Sequence, residues 1–143
     1  MNNDEEERQK HLQELQYTLQ TYQNRYGELN AAVNLTSKEL KDIEGAIIAL
    51  NKLPEIFGSN ILTNVGGKVY VNAKLEDQNN VVINIGASIL IEISIEKAIE
   101  IIELKRSKTE QTLNKLLSQQ KQVERDIYNL SFMIEDATKG QNV

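Results

Sequence analysis

The residues that could carry out chemistry are few in this chain. There is no cysteine, which excludes disulfides, thiolate metal sites and a cysteine nucleophile. The only histidine, His11, has no second ligand beside it, so we interpret it as a surface residue and predict no metal. Gly66-Gly67 is not followed by Gly-Lys-Ser/Thr and is interpreted as a turn, not a phosphate loop. No catalytic residue and no cofactor are predicted, so an enzyme is not expected.

The distribution of charge limits the partners. The formal net charge is −5, and no segment carries a basic excess that could follow a phosphate backbone, so nucleic acid is not an expected ligand. The N-terminal residues 1–10 are polar and acidic rather than apolar, and no run approaches the roughly 18 apolar residues that span a bilayer. We therefore expect a cytoplasmic protein with no membrane contact. The acidic run 4–7 is interpreted as a solvated helix end, or as an attraction for basic segments of a partner.

The first half of the chain has the pattern of a coiled coil. From Leu12 to Leu50, positions separated alternately by three and four residues are apolar in eleven of twelve cases, counting two tyrosines. This is an a/d heptad seam, longer than the three or four heptads that indicate a coiled coil. Pro54 disfavours the helical conformation at Leu53, so the helix is predicted to end there.

The last part of the chain repeats the pattern. From Ile95 to Ala137, ten of thirteen such positions are apolar, and Arg106, Thr109 and Gln120 interrupt the seam. Ser94 is a predicted N-cap, and Gly140 is predicted to lie just past the helix end. Because two apolar stripes of matching length cannot both stay in water, we expect them to pack as an antiparallel hairpin.

The segment between the helices is predicted to form strands. Residues 61–65, 69–75, 81–85 and 89–93 are rich in β-branched side chains, and turn residues separate them. Four strands in two hairpins are only marginally stable alone and leave unpaired edges. We therefore expect an α+β protein: a long antiparallel coiled-coil hairpin with two β-hairpins at the bend. The predicted divisions are helix 1–53, a β segment 54–94 that acts as an assembly hub for an oligomer, and helix 95–143.

The order of these elements resembles the α class of the prefoldin family, most closely in its archaeal form. The matching motifs are Val65-Gly66-Gly67, the segment 69–71, the segment 80–87 and the segment 92–98. Thr63-Asn64 departs from the family, which commonly has a hydrophobic residue and proline there. The resemblance implies a hexamer of two α-class and four β-class subunits. It also implies ATP-independent capture of unfolded clients at the coiled-coil tips and delivery to a group II chaperonin.

Both surfaces can be assigned candidate residues on this resemblance. Apolar side chains near the helix ends are the client-binding candidates: Leu12, Leu15, Tyr17, Leu130, Phe132, Met133 and Ile134. Phe132 and Met133 stand out because they lie outside the seam, whereas the leucines and Ile134 are also explained by seam packing. The oligomer-interface candidates alternate along the strands: Val69, Val71, Val81, Ile83, Ile85, Ile89, Ile91 and Ile93.

Two other interpretations of the same architecture remain. The chain could polymerise through its β edges as a structural, filament-forming protein, since a head-to-tail pairing of edges propagates whereas a two-fold pairing closes. It could also be a dimeric scaffold in which the helices pair between chains, although the central position of the β segment disfavours that arrangement.

Overall fold

The computed structural model describes residues 2–76 and 79–139, which form two long helices and four short strands. Helix α1 (Asn2–Ile56) precedes strands β1 (Asn60–Gly66), β2 (Val69–Lys74), β3 (Asn80–Asn84) and β4 (Leu90–Ser94), and helix α2 (Ile95–Lys139) follows them. The predicted α+β class, with two helices flanking two β-hairpins, is confirmed. The chain forms two compact units: unit 1 is residues 1–38 and 110–143, and unit 2 is residues 39–109.

Unit 1 contains an antiparallel pair of helical segments, and two hydrogen bonds between the helices show its register. The hydroxyl of Tyr26 donates to Glu124 Oε1 at 3.0 Å, and Gln120 Nε2 donates to Asn30 Oδ1 at 3.2 Å. A step of four residues forward in α1 therefore matches a step of four residues backward in α2, so the helices are antiparallel in this unit. Extrapolating this register along the straight rise of a helix places residues 11–17 beside residues 133–139.

The heptad seams are the buried stripes of both helices. Every predicted a and d position from Leu12 to Leu50, and from Ile95 to Ala137, is buried or half-buried. The seam carries most of the core because Leu15, Leu29 and Ile43 in α1 are among the most deeply buried side chains. Burying apolar surface contributes about 25 cal/mol per Å², so these stripes are the main source of helix stability.

The polar interruptions of the α2 seam are accommodated in different ways. Thr109 is buried despite its hydroxyl. Arg106 lies at the seam edge, and its Nε donates to Glu103 Oε2 at 2.9 Å on the same helix. Gln120 reaches across to Asn30. Polar seam residues lower stability but restrict the helices to one alignment, as they do in other coiled coils.

Unit 2 contains two separate two-stranded antiparallel sheets. β1 pairs with β2, from Asn60 opposite Lys74 to Gly66 opposite Val69, with an irregularity between Asn64 and Gly66. β3 pairs with β4 in a regular register from Asn80 opposite Ser94 to Asn84 opposite Leu90. No hydrogen-bonded strand joins the two sheets among the described residues, so each keeps unpaired edges.

The β3–β4 hairpin has one face toward the helical part of unit 2. Val81, Ile83, Ile91 and Ile93 lie on that face, because the register pairs Val81 with Ile93 and Ile83 with Ile91, and all four are half-buried. An apolar groove of about 280 Å³ separates β3 from the helices. Its helical lining residues are small or aliphatic: Ala46, Ala49, Leu50, Leu53, Ala98 and Ile102. The alanines are compatible with a close approach of β3.

Both hairpins close at turns that the sequence predicted, Gly66-Gly67 and residues 86–88, and the structure shows that the two turns share one conformation. Asn64 Oδ1 accepts a hydrogen bond from the Gly66 N–H, and Asn84 Oδ1 accepts one from the Gly86 N–H, each at 2.8 Å. The glycines have φ values of 109° and 114°, a backbone conformation that residues with a side chain rarely adopt. The motif Asn-(Val/Ile)-Gly therefore recurs for a conformational reason.

The two residues after each of these glycines also have left-handed φ angles. They are Gly67 (58°) and Lys68 (62°) in the first turn, and Ala87 (49°) and Ser88 (60°) in the second. Positive φ at both central residues is typical of the type I′ turn, which matches the right-handed twist of hairpin strands. The second turn lacks the usual Asn or Gly at these positions and is the more strained of the two.

One predicted helix boundary was wrong. α1 continues through Pro54 to Ile56, three residues beyond the predicted end at Leu53. Leu53 is half-buried against the β3 groove, and this packing outweighs its bias away from helix. The helix ends where Gly58 adopts a φ of 83° and its N–H donates to the Leu75 carbonyl at 2.6 Å.

The other helix boundary agrees with the sequence. α2 starts at Ile95, and Ser94 is its N-cap because Ser94 Oγ accepts the Lys97 N–H at 3.2 Å, so that prediction is confirmed. Gly140, the predicted residue past the helix end, lies outside the described residues.

Gly45 provides a test of how the helix is stabilised. It lies inside α1 on the exposed face, and a Cβ added there would have no atom within 4 Å. Gly45→Ala should therefore raise the free energy of unfolding by about 0.5–1 kcal/mol, measured by chemical denaturation. The matched control is Gly66→Ala, which should destabilise the protein because its φ of 109° disfavours a side chain. Equal effects of the two substitutions would contradict this account.

Candidate functional site

A group of large apolar side chains is exposed at the end of unit 1 where α1 begins and α2 ends. Tyr17 is 77% exposed, Tyr128 73%, Phe132 63% and Met133 47%. Tyr128 and Phe132 are four residues apart and therefore neighbours on one face of α2. None of the four occupies an a or d position of the seam. We call residues 2–17 and 126–139 the terminal end of unit 1.

The structure separates the seven predicted client-binding residues into two groups. Tyr17, Phe132 and Met133 are exposed and available for contact. Leu15 is buried, and the remaining seam members are half-buried: Leu12, Leu130 and Ile134. These four side chains pack between the two helices instead of forming an open surface. Only the exposed part of each half-buried side chain is accessible to a client. That these four residues bind clients stays a prediction.

Tyr128 was missed by the sequence analysis. It lies at a b position, directly after the seam residue Ile127, and is as exposed as Tyr17. Its distance of four residues from Phe132 was the signal that could have identified it, because that spacing places two aromatic rings on one helical face. Tyr17 lines an open surface depression on α1 with Lys10, Gln13 and Glu14, so its ring is accessible from solvent.

The predicted interface residues of the hairpins also fall into two groups. Val81, Ile83, Ile91 and Ile93 are half-buried on the face that packs toward the chain's own helices. By contrast, Val69, Val71, Ile85 and Ile89 are exposed. The second group is therefore available to another chain, whereas the first group already has an intrachain role. Sequence alone left this division open.

The hairpins expose further large apolar residues that were not among the predicted interface set. They are Leu62, Val65, Tyr70, Val82 and Leu90. Leu90 lies on the face of the β3–β4 hairpin opposite the helices, because it alternates with the half-buried residues, and Val82 is exposed but also borders the groove. An exposed apolar surface of this kind marks an interaction site more often than it marks a free surface.

Apolar side chains and strand edges are the main features of these surfaces. Among residues 2–76 and 79–139, no group of three or more His, Asp or Glu side chains is placed to hold a metal ion. Within the same residues, no helix combines the length and apolarity that crossing a bilayer requires. The exposed features are aromatic rings, aliphatic side chains and strand edges, which bind other polypeptides by burial and backbone pairing.

The chain was compared with known proteins at the level of sequence. The family described as "Prefoldin subunit" matches residues 22–139, most of the chain. The chain belongs to the prefoldin family. Two curated prefoldin α subunits are similar to it: that of Methanoculleus marisnigri is 29% identical over 130 residues, covering 86% of this chain and 85% of the relative. That of Thermofilum pendens is 28% identical over 108 residues, covering 70% and 84% respectively. The resemblance to the α class is confirmed.

Solved structures support the fold of this prefoldin. The prefoldin β subunit of Thermococcus strain KS-1 matches with a TM-score of 0.63 at 18% identity, covering 89% of this chain and 91% of that one. A filamentous prefoldin of Methanocaldococcus jannaschii, determined by cryo-electron microscopy, matches with a TM-score of 0.57 at 24% identity, covering 87% and 98%. At these identities the matches establish the coiled-coil prefoldin fold. Prefoldins are chaperones and not an enzyme family, so this chain is a prefoldin-type chaperone subunit.

The hydrogen bond between Tyr26 and Glu124 predicts a pH dependence of stability. The bond to the Glu124 carboxylate, and then the repulsion between two negative charges, raise the pKa of Tyr26 above its ordinary value of 10.0. Because the pKa is higher in the folded state, the contribution to stability is complete below the unfolded-state pKa. It is lost as pH rises through the folded-state pKa.

Tyr26→Phe tests this contribution. Wild type should have the higher Tm at neutral pH, and the difference in Tm between the two proteins should shrink as pH rises above about 10. A double-mutant cycle with Glu124→Gln isolates the coupling from the other tyrosines and lysines that titrate in the same range. Equal stability of wild type and Tyr26→Phe at neutral pH would remove the bond from the determinants of helix alignment.

Proposed function

We propose that this prefoldin subunit holds unfolded polypeptides, without nucleotide, on the exposed apolar residues at the terminal end of unit 1. In this proposal the chain acts within a hexamer of two α-class and four β-class subunits, and held clients pass to a group II chaperonin. The observation that carries the proposal is the exposure of Tyr17, Phe132 and Met133 outside a seam that is otherwise buried.

Capture by these residues is physically reasonable because an unfolded chain also exposes apolar surface. Burying such surface contributes about 25 cal/mol per Å², so a few side chains give weak, reversible contacts. Methionine suits a surface that meets many sequences, since its side chain is flexible and polarizable. Several subunits in one assembly would bind one client at several points, and the effective concentration would raise the overall affinity.

Assembly through the hairpins is supported by their exposure. A two-stranded hairpin is marginally stable in water, yet both hairpins of unit 2 carry exposed Val, Ile, Leu or Tyr side chains and unpaired edges. Strands from other subunits would cover these side chains and satisfy the edge N–H and C=O groups. The similarity to curated α subunits favours β-class subunits as the partners.

A structural role is the second candidate. The similar prefoldin of Methanocaldococcus jannaschii is described as filamentous, and the unpaired edges of both hairpins could pair head to tail. Electron microscopy of this chain purified alone distinguishes the two cases. Filaments would favour a structural role, whereas a closed assembly that forms only with a β-class partner would favour the holdase.

Phe132→Ser combined with Met133→Ser tests client capture. The complex of this chain with its β-class partner is mixed with a denatured test protein in nucleotide-free buffer, and aggregation is followed by light scattering. The substitutions should weaken capture about tenfold, because less apolar surface is buried on binding. Leu35→Ser is the matched control, since Leu35 is also exposed on a helix of unit 1 but lies outside the terminal end. Unchanged capture by the double variant would remove both residues from the site.

Leu62→Glu and Leu90→Glu test assembly, one on each hairpin. Both leucines are exposed in the single chain, so the subunit should still fold, but a charge buried at an interface would have no partner. Native mass spectrometry should show loss of the complex for either variant and a normal complex for the control Leu35→Glu. A normal complex for both hairpin variants would place the interface elsewhere. Ile83→Asp and Ile91→Asp should also prevent assembly, but these charges would disturb the packing of the hairpin toward its own helices as well.

A further inference from the structure

The charge of this chain is concentrated at the terminal end of unit 1. Residues 2–17 and 126–139 contain eight acidic side chains and three basic ones, which gives −5, the net charge of the whole chain. The rest of the sequence is therefore balanced. The only basic residues of the terminal end are Arg8, Lys10 and Lys139, and Lys139 Nζ already pairs with Glu135 Oε1 at 3.2 Å.

Carboxylates lie directly beside the exposed aromatic rings. Glu14 is three residues before Tyr17, and Glu135 and Asp136 are three and four residues after Phe132. Side chains at these spacings are neighbours on a helix surface, about 5–6 Å apart at Cβ. All three carboxylates are exposed and hydrated, and the ion pair of Glu135 with Lys139 is itself exposed, so a basic partner can compete for it. Apolar contact and negative charge are thus combined in one surface.

Tyr128 has a mixed environment. Glu124 precedes it by four residues and accepts the hydrogen bond from Tyr26, while Arg125 precedes it by three residues and donates to Gln122 Oε1 at 2.7 Å. The acidic character is therefore stronger around Phe132 than around Tyr128, and beside Tyr17 it is reduced by Lys10, which lines the same depression.

From this arrangement we infer that the terminal end selects unfolded segments in which apolar residues are interleaved with lysine or arginine. The inference rests on the proposed client-holding function and specifies the class of client. A basic side chain next to an apolar one could place its cation over the face of Phe132 or Tyr17 and near the adjacent carboxylates, while the apolar one covers the ring edge. Acidic segments would meet like charges at the same positions.

The selection operates at short range. Charges separated by more than about 10 Å are screened at 0.1 M salt, so the carboxylates adjacent to the rings dominate, and the more distant run 4–7 contributes mainly at low salt. Preference for basic segments should therefore weaken as salt rises, whereas the apolar part of the binding should persist. This difference separates charge selection from simple hydrophobic capture.

Three fluorescent peptides test the inference. They share the same apolar residues and differ only in their spacers, which are lysine, serine or glutamate. Binding to the complex of the full chain with its β-class partner is measured by anisotropy at low and high salt. The lysine peptide should bind about tenfold more tightly than the glutamate peptide at low salt, and this ratio should fall toward one at high salt.

Charge-neutral variants assign the preference to this surface. At about 0.1 M salt, where the run 4–7 is screened, Glu14→Gln, Glu135→Gln and Asp136→Asn together should abolish the preference and leave binding of the serine peptide unchanged. The matched control removes three exposed carboxylates in unit 2 by Asp42→Asn, Glu44→Gln and Glu100→Gln, and it should retain the preference. A preference lost equally in both sets would indicate a general field of the protein and overturn the local selection.

The outcomes distinguish the inference from the proposed function. Equal affinity for the three peptides, with binding weakened by Phe132→Ser, would overturn charge selection and leave client holding intact. Binding of all peptides that is insensitive to Phe132→Ser and Met133→Ser would instead contradict the proposed site. A concentration-dependent increase in mass that Tyr128→Ser and Phe132→Ser abolish would mean that a second copy of the chain covers the surface, and would also overturn the inference.

Discussion

Burial of the a/d seam is the interaction on which the rest of this prefoldin subunit depends. Intrinsic helix propensity contributes little to the stability of α1 and α2, and their apolar stripes must be covered from water. The seam covers them, and its deepest side chains include Leu15, Leu29 and Val123. Because the a and d side chains pack against each other, apolar side chains at positions b, f or g have no partner within the helices. Tyr128, Phe132 and Met133 are exposed for that reason.

The polar residues in and beside the seam serve alignment more than stability. An apolar heptad pattern repeats itself, so a shift of the helices by one heptad would still bury apolar residues. The hydrogen bonds of Tyr26 with Glu124 and of Gln120 with Asn30 are satisfied in one register only. They favour the one alignment that sets which residues lie together at the terminal end of unit 1. The composition of the candidate binding surface follows from this alignment.

The two hairpins meet a different constraint. Their turns are matched, with an asparagine side chain bonded to a glycine N–H and two left-handed residues after it, so the residues of each turn specify its local geometry. Their faces are not satisfied locally. β3 and β4 direct Ile83 and Ile91 toward the helices of unit 2 and leave Leu90 on the other side. Each hairpin therefore has a locally specified turn and an apolar surface that its own chain leaves uncovered.

The sequence by itself determined the class of fold, because periodicity is a local property: a spacing of three and four specifies a buried helical stripe, and alternation specifies a strand with two faces. It also determined both ends of the β segment to within a few residues. The end of α1 was predicted too early, before Pro54, because the sequence does not show that Leu53 packs toward the β3 groove. The heptad pattern also separated Leu15, in the seam, from Phe132, outside it, and the structure confirms that one is buried and the other exposed. Only the tertiary structure decided which apolar strand residues are used internally. Ile83 and Ile89 were indistinguishable until the strand register and the helical groove placed Ile83 toward the helices and left Ile89 exposed. Exposure depends on which neighbours cover a side chain, and those neighbours come from distant parts of the chain.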